Sequence, residues 1–243
     1  MLAQLTGFEI FQGSFTLVSV IMSTILGFFI ALKYLKYKKI ELFLVGATWI
    51  LLASPYWSDA IQFITITFFG LSIDPPLYFF LANAFIAPIH MTWSYAFTNF
   101  LFKKQQKKIM LFFGIEALLF EIAFLTVFFV NPYLIGSQRS AFVVEWALWI
   151  QIYLLFSIVL FLVTGFLFTR SSLKAEDSEI KLKGKFLLSA FLTFTIGTII
   201  DVVGAESPTE ITIFLARTFV IISSICFYIG FTLPRFIKKL FIK

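Results

Sequence analysis

The 243-residue sequence has few of the residues from which most catalytic and metal sites are built. It contains one histidine, His90, and one cysteine, Cys226. A single cysteine excludes an internal disulfide, and one histidine without paired cysteines excludes a zinc site of the usual kind. No glycine-rich phosphate loop occurs. Charge is scarce too: Asp, Glu, Lys and Arg make up 13% of the chain against 60% hydrophobic residues, with a mean hydropathy of +0.97. So little polar surface cannot cover a soluble sphere. No metal and no cofactor is expected. Nor is a soluble domain, because the longest connection, RSSLKAEDSEIKLKGK, is only a mixed-charge loop.

Long apolar runs are what the chain does have. A helix needs roughly 20 apolar residues to cross a hydrocarbon core about 30 Å thick. Such runs lie at 9–32, 42–69, 76–101, 109–130, 141–169, 186–204 and 208–233. Backbone groups in lipid must be satisfied within a helix or a closed barrel, and unbroken runs of this length read as helices rather than as barrel strands. The expected fold is an all-α integral membrane seven-transmembrane-helix bundle over 1–233, followed by a short basic tail over 234–243. The opening MLAQLTGF has no basic stretch and the first run exceeds a signal-peptide core, so that run is expected to stay as a helix. No internal repeat of the kind that builds many transporters is evident.

The basic residues set the expected orientation. Lys33, Lys36, Lys38 and Lys39 follow the first run, and Lys103, Lys104, Lys107 and Lys108 follow the third. Arg170, Lys174, Lys181, Lys183 and Lys185 lie between the fifth and sixth, and Arg235, Lys238, Lys239 and Lys243 follow the seventh. Seventeen of the 19 basic residues thus occupy alternate connections. The positive-inside rule then puts the N-terminus outside and the C-terminus in the cytoplasm, in a multi-pass protein of the cell membrane. Cations spread beside helix ends address membrane lipids, so the net charge of +6 is no nucleic-acid signal. In LPRFIKKLFIK, Pro234 marks a break, and Phe236, Leu240 and Phe241 can share one apolar face. That pattern suits a short interfacial helix, with docking of a cytoplasmic partner as the alternative.

Ionisable residues inside apolar runs are costly unless paired or hydrated, and they carry the functional signal. At about 1.5 Å per residue, Arg217 lies roughly 14 Å below the outer end of the seventh helix, if that helix starts at Pro208. Asp201 on the sixth lies about 8 Å below the outer edge, Glu145 on the fifth about 6 Å, and Asp59 near the outer end of the second. An arginine can snorkel by the length of its stem, so the four can meet. Glu206 and Glu210 would sit at the mouth, with Glu210 two turns before Arg217 on the same side. Thr198 lies one turn from Asp201, and Trp149 one turn below Glu145. These spacings predict an outward-facing polar pocket with an aromatic wall, suited to a small molecule bearing a cationic or hydrogen-bonding group. The alternative is a structural ion pair between Arg217 and Asp201 that only fixes helix packing.

Deeper in the bundle, His90 on the third helix and Glu116 on the fourth share a depth and can hydrogen-bond, which makes them a candidate pH switch. Glu121 is about 140° further round its helix and does not share that partner easily. Pro55 and Pro88 each free a helical carbonyl, at Leu51 and Ala84, and open space by kinking. The second run is too long for a simple crossing. It either tilts or ends near Tyr56 and Trp57 and continues along the interface.

Two seven-helix classes can be tested on the residues. Retinal proteins need a lysine midway along the seventh helix, and none occurs between Lys185 and Lys238. G-protein-coupled receptors carry an acidic-Arg motif after the third helix, where this chain has YAFTNFLFKK, and an Asn-Pro motif in the seventh helix that is absent here. The stretch APIHMTWSYAFTNFLFKK instead resembles the third helix of the seven-helix sensor modules at the front of prokaryotic histidine kinases. FFVNPYLIG is similar to the Asn-Pro that closes their fourth helix. Pro88, Trp93, Asn131 and Pro132 carry the resemblance, which extends over about half the chain. It implies a membrane sensor. Those modules feed a kinase or cyclase domain, whereas this sequence ends at Lys243, so the expected output passes through a separate cytoplasmic signalling partner. The expectation is therefore a sensor or receptor-like protein that binds a small ligand or lipid and is not an enzyme. The rival is a transporter or channel lined by the same charged residues, for which Thr193, Thr195, Ser223 and Ser224 offer only a thin polar trail inward. An intramembrane enzyme would need a nucleophile beside a base, and His90 with Ser94 one turn away is weak support for one.

Overall fold

The computed structural model describes residues 4–205 and 207–242. It is an all-α architecture, 84% helical, with one small hairpin. The helices are α1 (Gly7–Tyr37), α2 (Ile40–Leu52), α3 (Trp57–Phe69), α4 (Pro75–Asn83), α5 (Ile86–Leu101), α6 (Gln106–Val130), α7 (Leu148–Leu173), α8 (Ser178–Gly204), α9 (Glu210–Thr232) and α10 (Arg235–Phe241); strands β1 (Gly136–Gln138) and β2 (Val144–Trp146) lie between α6 and α7. Among the described residues, six helical stretches are long and apolar enough to cross a membrane. This is a multi-pass helical membrane bundle. The run 76–101 is divided at Ala84 and Phe85 into α4 and α5, neither of which is long enough alone. Pro88 explains the division, since it cannot donate to Ala84 and its ring crowds that carbonyl.

Polarity in this bundle runs inward. The buried face of α1 carries Gln12, Thr16, Ser19, Ser23 and Gly27 at helical spacing, while Ile10, Val18, Ile21, Ile25 and Phe28 are exposed. Small and polar residues let backbones approach and bond across helices where lipid already satisfies the apolar face. Gly46 of α2 faces Gly27 so closely that a Cβ there would lie 2.5 Å from the Gly27 carbonyl oxygen. On the other side, Ser23 meets Ser224 of α9 at 2.9 Å. From these contacts a ring closes, with α1 against α2 and α9, α9 against α8, α8 against α7, and α2 and α7 against α5; α6 packs outside α5.

The second run kinks without leaving the bundle. Ser54–Tyr56 form a 3-10 turn at Pro55, and α3 continues packed on α1 until Gly70 ends it in the left-handed conformation at φ 67°. Below this turn lies an aromatic core in which Trp49 stacks on Phe227 at 3.9 Å and Phe161, Phe191 and Phe194 pack around Trp93 and Trp49. At the far end, Leu233 leaves α9 with φ 37°, and Pro234 starts α10, whose Phe236 and Leu240 are exposed and whose Lys238 pairs with Glu179.

One expectation is corrected here. The fifth run does not become a helix at residue 141; Val144–Trp146 form a strand paired antiparallel with Gly136–Gln138, and the helix begins at Leu148. Val144 is buried and Glu145 exposed, the period of a strand. Two β-branched valines and a tryptophan meet an apolar-run criterion and a strand equally well.

Candidate functional site

A cavity of about 240 Å³ opens inside the ring near the hairpin. Arg217 of α9 stands at one end of it. Its Nε donates to Thr16 Oγ1 of α1 at 2.9 Å, one terminal nitrogen donates to Asp201 Oδ2 of α8, and the other lies 3.9 Å from Asp59 Oδ2 of α3. The guanidinium carbon sits 4.3 Å from the centre of the Tyr56 ring, a cation–π contact shielded from water. Tyr56 also donates to Asp201 at 2.6 Å, and Tyr78 of α4 donates to Asp59. One permanent cation therefore faces two carboxyl groups, each also bonded by a tyrosine. Arg217, Asp59, Tyr78 and Thr16 are buried.

His90 and Ser157 line the same cavity. His90 is 2% exposed, with Nδ1 3.0 and 3.1 Å from the Glu116 carboxylate oxygens and Nε2 2.8 Å from Ser157 Oγ. Tyr153, stacked on Phe120 at 3.5 Å, places its hydroxyl 3.3 Å from Nδ1. Ser157 has a single proton and two partners, since the Tyr153 carbonyl also lies 2.8 Å away. With Nδ1–H given to Glu116, a neutral ring takes the serine proton at Nε2. A doubly protonated ring donates there instead and sends that proton to the carbonyl.

The hairpin forms the wall at one side. Phe142, Val143, Val144 and Trp146 line the cavity; Gln62 donates to the Ala141 carbonyl at 3.2 Å, and Gln12 approaches the Phe142 carbonyl at 3.5 Å. Two buried glutamines on α1 and α3 thus tether the turn over the cavity.

Of the residues singled out in the sequence, Arg217, Asp201, Asp59 and Thr198 line this cavity, and His90 meets Glu116 beside it. Glu145 does not join Arg217. It is exposed on β2 and pairs with Arg139. Trp149, in the first turn of α7, donates to the Leu134 carbonyl at 3.2 Å and is absent from the cavity lining. Glu210 is exposed at the start of α9 and is also absent from it. Glu206 lies outside the described residues. Tyr56, Tyr78, Thr16 and Ser157 are site residues that sequence reasoning missed. Gln12 and Thr16, spaced one turn apart in an apolar run, were a readable signal; a lone Ser157 in α7 was not. Comparison with protein-family models, curated proteins and solved structures returns no match.

Proposed function

We propose that this protein is a seven-helix membrane sensor that binds a small amphipathic molecule in the Arg217 cavity and signals through a separate cytoplasmic partner, without being an enzyme. One observation carries the reading: a single cavity is lined both by Arg217, Asp59 and Asp201 and by the hydrogen-bonded His90 and Ser157. About 240 Å³ exceeds the ~150 Å³ that holds a benzene-sized guest. Leu52, Ile89, Phe161 and Phe194 supply apolar wall, and two carboxyls against one arginine favour a cationic or hydrogen-bond-donating head. In this reading α4 and α5 together make the third of seven crossings, and the lysine-rich end faces the cytoplasm with the N-terminus outside.

Two details favour a closed pocket over a transport path. The serines and threonines of the inward trail are occupied: Thr195 donates to Phe191, Ser223 to Ala190, and Ser224 to Val220. The Trp49–Phe227 stack and its aromatic neighbours fill the space beyond them. The order Ser157–His90–Glu116 matches a nucleophile, base and acid, but Ser157 lies inside a continuous α7 whose backbone N–H groups are used within the helix, so the backbone around the serine offers no oxyanion donors.

The test is thermal unfolding of purified protein against a panel of primary and quaternary amines with aliphatic or aromatic tails. A compound that raises the melting temperature of the wild type but not of Asp201→Asn supports the pocket, since binding to the folded state adds stability. Absence of any shift across the panel counts against it. Labelling of Ser157 by a fluorophosphonate would overturn the non-enzymatic part of the reading.

A further inference from the structure

We infer that the lysine-rich end of the bundle holds a second binding site, for a phosphate-bearing anion. A cleft of about 360 Å³ lies where the ends of α1, α5, α7 and α9 meet the starts of α2 and α8. Lys33 from α1, Lys39 from the α1–α2 connection and Lys183 from α8 converge on it. Lys33 and Lys183 are half-buried, and among the described residues no carboxylate lines the cleft and none of the three lysines forms an ion pair. Three like charges around one cleft repel one another, and the half-buried Lys33 and Lys183 also lose hydration; an anion between them offsets both costs.

The cleft also has the profile of an amphiphile site. Tyr37, Ser172 and Thr232 are hydroxyl-bearing residues of the same lining, while Phe100, Phe168, Leu187 and Phe231 form apolar wall. Basic pockets between membrane helices at the headgroup level bind anionic lipid heads, each lysine near the surface adding roughly 1 kcal/mol. The phosphate is supplied either by an anionic phospholipid or by a soluble phosphate compound. The site is independent of the Arg217 cavity, because no residue lines both.

The test measures binding of fluorescent phosphatidylglycerol to delipidated full-length protein in neutral detergent, with labelled phosphatidylcholine as the zwitterionic reference. Lys33→Gln/Lys39→Gln/Lys183→Gln is compared with Lys104→Gln/Lys107→Gln/Lys108→Gln, which removes the same charge at the same end. The expected result is binding on the order of 100-fold weaker in the first variant and within about twofold of wild type in the second. Replacing the three cleft lysines by arginine keeps the charge and is expected to retain binding, which keeps the proposal testable if the glutamine variant does not fold. Competition with inorganic phosphate and glycerol 1-phosphate separates the sources. Displacement at low millimolar concentration assigns a soluble phosphate ligand, and none assigns the lipid. Equal losses in the two glutamine variants, loss of binding in a folded arginine variant, or equal binding of phosphatidylcholine would overturn the site.

Discussion

Two arginine–carboxylate pairs in this chain share their chemistry and differ in setting. Arg139 and Glu145 meet across the β1–β2 hairpin with side chains 65% and 59% exposed. Arg217 is 5% exposed and Asp201 22%. Water or headgroups solvate the first pair whether or not it forms, so it contributes about 0–1 kcal/mol. The second pair is shielded, and its partners are held from α1, α3 and the Pro55 turn as well. Removing one member strands charge where nothing replaces it. Burial, more than pairing, makes an arginine indispensable, and a sequence pattern that finds an arginine and an acid at equal depth does not separate the two cases.

The comparison can be broken or sharpened by four single substitutions and one double variant, each read as unfolding free energy in mixed micelles. Arg217→Met has the largest expected effect, a loss of about 3–5 kcal/mol, because Asp59 and Asp201 then share a buried site without a cation. Adding Asp201→Asn to that variant is expected to recover part of the loss; no recovery would mean that the arginine acts through packing. His90→Phe, close in volume, leaves Glu116 and Ser157 without their ring partner and is expected to cost about 1–3 kcal/mol. A neutral result there would separate buried polarity from buried charge. Tyr56→Phe keeps the ring over Arg217 and removes only the hydroxyl on Asp201, for an expected loss of about 1–2 kcal/mol. Arg139→Gln is expected to change stability by less than about 1 kcal/mol. A loss there as large as that for Arg217→Met would erase the contrast altogether.

Much of the cluster was legible because a helix converts sequence separation into depth. The rise per residue puts Asp201 and Asp59 toward the outer end and Arg217 deeper but within the reach of its own stem, and the structure joins the three. The same arithmetic brings His90 level with Glu116, and they bond. It failed for Glu145 and Trp149 because it assumed a helix through 141–147, where the chain forms a strand. Glu210 failed for a different reason: its side chain is exposed at the start of α9 and outside the cavity lining, although Pro208 and Thr212 on either side of it reach the cavity. Ser157 and Tyr56 stayed hidden because their importance depends on which way each helix is turned, and a uniformly apolar run does not encode that rotation.

By itself the sequence determined the class. Twenty-residue apolar runs have no stable place except lipid, and their internal hydrogen bonding makes them helices. It also gathers its lysines and arginines in alternate connections. Tertiary structure alone decided the rotation of each helix, the hairpin over the cavity and the joining of two ionisable groups in one space. Those depend on small residues such as Gly27 and Gly46 permitting close approach, and on hydrogen bonds between helices far apart in sequence. In lipid, apolar surface is nearly neutral between packing and exposure, so the few polar and small side chains settle how the helices turn.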